Sequence, residues 1–530
     1  MPAERSGDVD AVVIGSGPNG LVAANVLADR GWDVLVLEAA AEPGGAVRTA
    51  EVTAPGFKSD LFSAFYPLAV VSPAIRDLGL ERHGLQWTGA PRPLVHPTPD
   101  GPAVVVDPDV DVTAASLDRF APGAGDGDTW RALYARFDRV SAGLLDTLLT
   151  PFPPVTAALR LAGRAGPRGL LDVAQLGLGS ARGQARRRFR GEGGALLFGG
   201  NALHTDLLPE SPSSAIYGWL LSSLAQQVGW PVPVGGAGSL TTALVRRLEA
   251  RGGRIECGVA VSAVVVRDGR ATGVRTCAGD TVSARRAVLA DVGAPALYLD
   301  LLDPAVVPGR VRRAIRRFSY GDGTFKVDWA LRAPIPWDDP EASTAGTVHV
   351  GDSLDELSRT SRELGAGLVP RDPFLLVGQM TTADATRSPA GTESAWAYAH
   401  VPRPDRARGD AGDDGLDGTW RDPAGVARFV ERMEARIERL APGFTDRIIA
   451  RHVASPVDLQ SANANLVGGS LDGGSARLGQ QLVLRPIPGL GRAETPVKGL
   501  YLASSSAHPG GGVHGACGNN AARAALLHNN

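Results

Sequence analysis

Cysteine is scarce. The 530 residues hold three, Cys257, Cys277 and Cys517, and no two have the CxxC spacing. That excludes a disulfide framework, a zinc ribbon and a dithiol redox centre. Lysine is equally scarce: Lys58, Lys326 and Lys498 stand against 51 arginines, so each lysine merits inspection. No run of about 18 uninterrupted apolar residues occurs, and no membrane-spanning helix is expected. The charges nearly cancel at a formal −2, so no basic field argues for nucleic acid. The opening MPAERSGDVD lacks the apolar core of a secretory signal and the acid-poor character of a transit peptide, which leaves a cytoplasmic expectation. HExxH, GxSxG, P-loop and DxDxDG patterns are missing from any supporting context, and no metal is expected.

The chain is long enough for two to four domains at roughly 150 residues each. Its 44% hydrophobic and 21% charged content is that of a folded globular chain. The opening carries the most information. VDAVVI (Val9 to Ile14) reads as a buried parallel strand, GSGPNG follows, and LVAANVLADRG has helical spacing ending at Gly31. DVLVLE then closes a βαβ unit on Glu38. Gly15, Gly17 and Gly20 thus sit where a tight turn, a close backbone approach to a pyrophosphate and helix–strand packing need them, with Ser16, Pro18 and Asn19 between. The helix start supplies amides and a positive dipole end to phosphate. Glu38, 18 residues past Gly20, is placed to accept ribose hydroxyls, which favours FAD or NAD over NADP.

After Glu38 come Gly44, Gly45, Arg48 and Thr49. Here the sequence resembles the flavin-binding amine oxidase and phytoene desaturase superfamily. The resemblance implies that FAD is the cofactor and that this loop contacts its diphosphate and ribityl chain. GLYLASSSAHPGGGVHGA (Gly499 to Ala516) is similar to the phytoene desaturase C-terminal signature, implying that Ser505, Gly512, Val513 and His514 lie along the flavin. Many relatives have Gly or Asp where this chain has Ser504 and Ser505. PVPVGGAGSL resembles the segment crossing the flavin before a helix, and Val261 matches the position whose backbone meets adenine. GGAVRTAEVTAPGFKSDLF and VSPAIRDLGLERHGLQW are most similar to the phytoene dehydrogenase-related branch that includes the animal pyridine nucleotide-disulfide oxidoreductase-like proteins.

The catalytic candidates are Lys326, His508 and His514. Lys326, in GDGTFKVDWAL, alternates with Phe325 and Val327; the resemblance to amine oxidases implies an approach to flavin N5 through a water, and the bland alternative is a lysine reaching solvent. A histidine near neutrality can shuttle protons, or it can simply bond backbone in a turn. The implied fold is an α/β two-domain flavoprotein: a discontinuous doubly wound FAD domain over 1–95, 235–300 and 456–530, and a mixed-sheet substrate domain with a helical cap over 96–234 and 301–455. The expected activity is an FAD-dependent dehydrogenase or desaturase acting on a lipophilic small molecule, with oxygen or a quinone as electron acceptor. An amine or alcohol oxidase, a non-redox isomerase and a lipid-binding escort protein are the alternatives; the intact GxGxxG, Glu38 and glycine pair argue against the last. Residues 151–190 mix leucines with arginines, which suits either short helices touching a membrane surface or a cap with buried leucines.

Overall fold

The apolar run Val9–Ile14 becomes the central strand of a seven-stranded sheet, buried almost throughout. The computed structural model of the protein describes residues 8–99 and 101–529. Val9–Ile14 pairs in parallel with Val34–Leu37 on one side and with Thr281–Ala290 on the other. Arg254–Glu256 extends one edge, and Leu500–Leu502 pairs in parallel with the end of Thr281–Ala290. The start of Thr281–Ala290 instead joins an antiparallel meander with Val261–Arg267 and Arg270–Thr276. One sheet is therefore assembled from three distant pieces of chain, as a discontinuous nucleotide domain requires.

A second seven-stranded sheet runs in the order Ile448–Ala454, Gly323–Leu331, Glu393–Val401, Leu375–Gln379, Ala345–Val350, Arg92–His96, Val104–Val106. Its pairings are antiparallel except that between Ala345–Val350 and Arg92–His96. Both faces are covered. Phe325, Val327, Trp329, Ala395, Ala397 and Val377 pack on one side with Phe429, Met433 and Phe444. The opposite side carries Leu94, Leu376 and Trp396 against helices between residues 126 and 228.

One sequence expectation needs correction. A domain boundary at 95 would cut Arg92–His96, which belongs wholly to the second sheet. The acidic, glycine-rich stretch 402–418 is anchored to the fold: Gly409–Asp410 pairs with Leu368–Val369, and Asp410 accepts from both terminal nitrogens of Arg432 at 2.8 Å. A carboxylate midway along a polar run gained a buried partner that composition does not reveal.

Candidate functional site

The glycine turn is shaped by what lies beneath it. Gly15 has φ +92, and a Cβ there would come within 2.9 Å of the Asp291 carbonyl. A Cβ on Gly17 would lie 2.6 Å from Asp291 Oδ2, and one on Gly20 would run into the Gly15 carbonyl. Asp291 ends the strand Thr281–Ala290 and accepts the Gly20 amide at 2.8 Å, so it occupies the first turn of the helix Pro18–Ala28. Burial pushes its carboxyl up to about 7; the Gly20 amide opposes that shift and Glu38 adds to it. Asp291 went unread in the sequence, yet an acid at the carboxyl end of a strand beside a glycine turn marks where ligands bind in such sheets.

Glu38 is half-buried. Its Oε2 accepts the Ser16 amide at 2.8 Å and the Ser16 hydroxyl at 2.6 Å, and its Oε1 accepts the Ala40 amide at 2.9 Å. A carboxylate offers about four acceptor sites, so room for one hydroxyl remains. Gly44 donates to the Ser16 carbonyl at 3.0 Å, and Gly45, at φ +55, lies so close that a Cβ would sit 3.0 Å from Gly17 Cα. Arg48 donates to the Gly45 and Ala462 carbonyls at 3.1 and 3.2 Å, closing the loop over the turn. Val261 opens its strand half-buried, two residues beyond Val259, whose amide donates to the Glu38 carbonyl at 2.8 Å. Within the first turn of the helix, Asn19 Oδ1 is buried and lacks a protein partner. Left-handed glycines, a paired carboxylate with spare acceptor capacity and an orphaned amide oxygen together fit a bound dinucleotide. Glu38→Gln should weaken FAD retention by roughly 1.5–3 kcal/mol, since a charged acceptor becomes neutral. Equilibrium dialysis of the flavin reads this directly, and unchanged affinity would place the ribose elsewhere.

The C-terminal signature folds against this turn. The helix Ala516–Leu527 crosses Pro18–Ala28 so closely that a Cβ on Gly518 would overlap the Asn19 carbonyl, and one on Gly515 would lie 2.8 Å from Val22. Val513 is half-buried against the apolar cluster that contains Val22 and Ile75, and Gly512 is exposed at φ +105. The Ser505 carbonyl is held by Arg485, whose guanidinium is fully buried and also donates to the carbonyls of Ser475 and Asp472. Arg485 was missed in the sequence because nothing local distinguishes it.

The two histidines are placed as turn ligands of backbone. His514 Nδ1 accepts the Ala516 amide at 3.1 Å, and burial lowers its pKa to about 4, which keeps it neutral and outside the range of a shuttle at pH 7. His508 Nε2 meets the Thr150 carbonyl at 3.0 Å; burial lowers its pKa as well. Cys517 is a buried small residue, its thiol raised by burial to about 12. Among the described residues, no group of three or more metal-ligating side chains is placed to hold an ion.

Lys326 does not reach solvent. It is 3% exposed, because the sheet is covered on both faces; its ammonium pairs with Asp328, two residues along the same face, and lies 5.8 Å from the Trp396 ring centre. Along that face, Trp396 and Tyr398 stack at 5.9 Å, Phe65 bridges Trp396 to Trp230, and Trp230 meets His204 edge-on at 5.0 Å. His204 Nε2 touches His349 Nε2 at 3.0 Å. Burial brings His204 to about 3 and His96 to about 4, and it holds His349 well below its ordinary value, so all three are neutral. Beside the entry to this face, Asp60 and Arg387 form a wholly buried ion pair. Asp60 Oδ1 also accepts the Thr49 hydroxyl and the Ala237 amide, at 2.7 and 2.8 Å, so the pair joins the loop after Arg48 to the 235–238 crossing.

Comparison with known proteins agrees with this geometry. The family model described as flavin containing amine oxidoreductase matches residues 19–369. Pyridine nucleotide-disulfide oxidoreductase domain-containing protein 2 of Rattus norvegicus is 29% identical, over 97% of this chain and 93% of its own length. The zeta-carotene-forming phytoene desaturase of Myxococcus xanthus is 28% identical, over 95% of this chain and 90% of its own. Among solved structures, putrescine oxidase bound to putrescine superposes with a TM-score of 0.61 at 17% identity, covering 98% of this chain and 99% of that one. With two layered sheets, a glycine turn closed by both termini and a match across two-thirds of its length, the chain belongs to the flavin containing amine oxidoreductase family and is an FAD-dependent oxidoreductase.

Proposed function

We propose that this oxidoreductase acts as a dehydrogenase or desaturase on an apolar, uncharged small molecule. The observation that carries the reading is the face between the second sheet and its helical cap. It presents Trp396, Tyr398, Phe65 and Trp230 beside three neutral imidazoles, and Lys326 and Asp328 on it satisfy each other. A cationic amine held between these rings would compete with Lys326 for Asp328, whereas a hydrocarbon or neutral alcohol needs no charged partner. The phytoene desaturase relative supports the same choice. FAD, when bound, supplies the hydride acceptor. The protein's part is to exclude water, orient the substrate against aromatic walls and keep the Lys326–Asp328 pair fixed.

Anaerobic mixing of the FAD-loaded protein with long-chain alkenes, terpenoid alcohols and primary amines tests this. Bleaching of the flavin by the uncharged compounds and not by amines is expected; the reverse order overturns the reading. Lys326 serves as a second probe. Lys326→Met alone would strand Asp328 as an unpaired buried carboxylate, so the informative variant is Lys326→Met with Asp328→Leu. It should retain FAD yet slow flavin reduction or reoxidation at least tenfold if the pair acts at the reacting edge. Equal half-reaction rates would reduce the pair to a structural one.

A further inference from the structure

We propose that the kinked helix Val155–Leu178 and the basic helix Ala181–Arg188 after it form a docking surface for an anionic phospholipid bilayer. A helix of the cap should bury its leucines. This one buries only Ala157, Leu161 and Leu176. Val155 is 60% exposed, Leu159 68%, Leu171 60% and Leu178 69%, with Leu170 exposed between them, whereas Leu133, Leu144, Leu196, Leu197 and Leu224 of the cap are buried. The exposed side chains fall on both sides of the break at Gly166 (φ 64) and Pro167, so they are spread along two helical segments instead of gathered into a pocket. A flat apolar phase fits that spread better than a single protruding side chain of a partner.

Charge selects the phase. From Pro151 to Arg190 the chain carries eight arginines and one acid, Asp172. The acid is already paired with Arg136 at 2.7 Å, half-buried. Arg164 and Arg168 are exposed on the same kinked helix as the leucines, and Arg186, Arg187 and Arg190 are exposed in the segment that follows it. The two helices are joined through Gln184, whose amide donates to the Gln175 carbonyl at 3.3 Å, so the basic helix is anchored to the end of the apolar one. A second copy of this chain would bring like charge against like charge. Anionic headgroups satisfy the arginines while the leucines dip into the acyl boundary, about 5–10 Å deep. Among the described residues no helix is long and apolar enough to cross a membrane, so the contact is one that lies on the surface.

The position of this surface gives it a use. The two residues before the helix's proline-rich entry are tied to the flavin-side segment: the Leu149 carbonyl accepts Asn520 Nδ2 at 3.1 Å, and the Thr150 carbonyl accepts His508. A bilayer held there would sit beside the segment that closes the cofactor turn, which suits a protein whose substrate partitions into lipid. The docking itself does not depend on that substrate.

Sedimentation of the FAD-loaded protein with vesicles tests the proposal without any substrate, so its outcome is separate from that of the activity assay. Binding is expected to phosphatidylcholine vesicles containing about a third phosphatidylserine, to fall as salt shortens the screening length, and to be absent with phosphatidylcholine alone. Leu159→Gln, Leu171→Gln and Leu178→Gln together, all at exposed positions, should leave the melting temperature unchanged and remove binding. Arg164→Gln, Arg168→Gln and Arg187→Gln together should weaken it about 100-fold. Leu171→Trp should show a blue-shifted emission on anionic vesicles. Equal binding to neutral and anionic vesicles, no binding to either, or wild-type binding by the leucine variant would overturn it.

Discussion

Asp60→Asn should destabilise the protein by about 3–5 kcal/mol, because it leaves the Arg387 guanidinium charged, wholly buried and without its carboxylate. Asn keeps an oxygen for the Thr49 hydroxyl and the Ala237 amide, so the change removes charge with little loss of shape. Burial already pushes the Asp60 carboxyl upward while Arg387 draws it back, and two further guanidinium nitrogens, Nε and Nη1, have no protein partner. The site is therefore poor at holding an isolated cation. Adding Arg387→Met should recover much of the loss, since no buried cation is then left without a counter-charge. Urea denaturation of the single and double variants measures both numbers. A single variant as stable as wild type would mean that water reaches Arg387.

The second large effect concerns Arg485. Its Nε and Nη2 donate to the Ser505 carbonyl at 2.9 and 2.7 Å, Nη1 to Ser475 at 3.0 Å, and Nη2 also to Asp472 at 2.8 Å. Desolvation lowers its pKa, but the carbonyls hold the charge in place without a carboxylate in contact. Arg485→Met would strand three buried carbonyls at about 1–3 kcal/mol each, so a loss of roughly 3–9 kcal/mol is expected. Because Ser505 lies in the turn that leads to Gly512–His514, FAD retention should fall with stability. Arg485→Lys should rescue little, having no planar fork to reach all three oxygens. Retained FAD in a destabilised Met variant would separate the turn from the cofactor.

The cofactor turn was legible in the sequence because its requirements are local. Gly15, Gly17, Gly20 and Glu38 lie within one βαβ unit, and each answers to a turn, a close approach or a strand end that neighbouring residues announce. The Gly44–Gly45 pair and the C-terminal glycines were singled out by resemblance to the flavin-binding amine oxidase and phytoene desaturase superfamily. Charge burial was not legible. Asp60 and Arg387 are 327 residues apart, and no short-range pattern marks either as a pair. Alternation correctly set Lys326 opposite Phe325 and Val327, but it could not show that both faces of the strand are covered. The same limit applied to residues 151–190. Helical spacing showed leucines and arginines on a helix, while exposure depends on what the other cap helices leave uncovered.

The pairing of Val9–Ile14 with Val34–Leu37, Thr281–Ala290 and, through that strand, Leu500–Leu502 bears on how the chain is made. The strand and helix that read as a cofactor turn leave the ribosome early, yet the strand Leu500–Leu502 and the helix that locks Gly518 onto Asn19 follow about 500 residues later. At roughly 5–20 residues per second, that is a delay of about 25–100 s during which the apolar edge of the nascent sheet has no partner. FAD capture by this domain is thus a late event in synthesis. The interval is a period of aggregation risk, in which a chaperone has more time to act on this chain than on one whose nucleotide domain is contiguous.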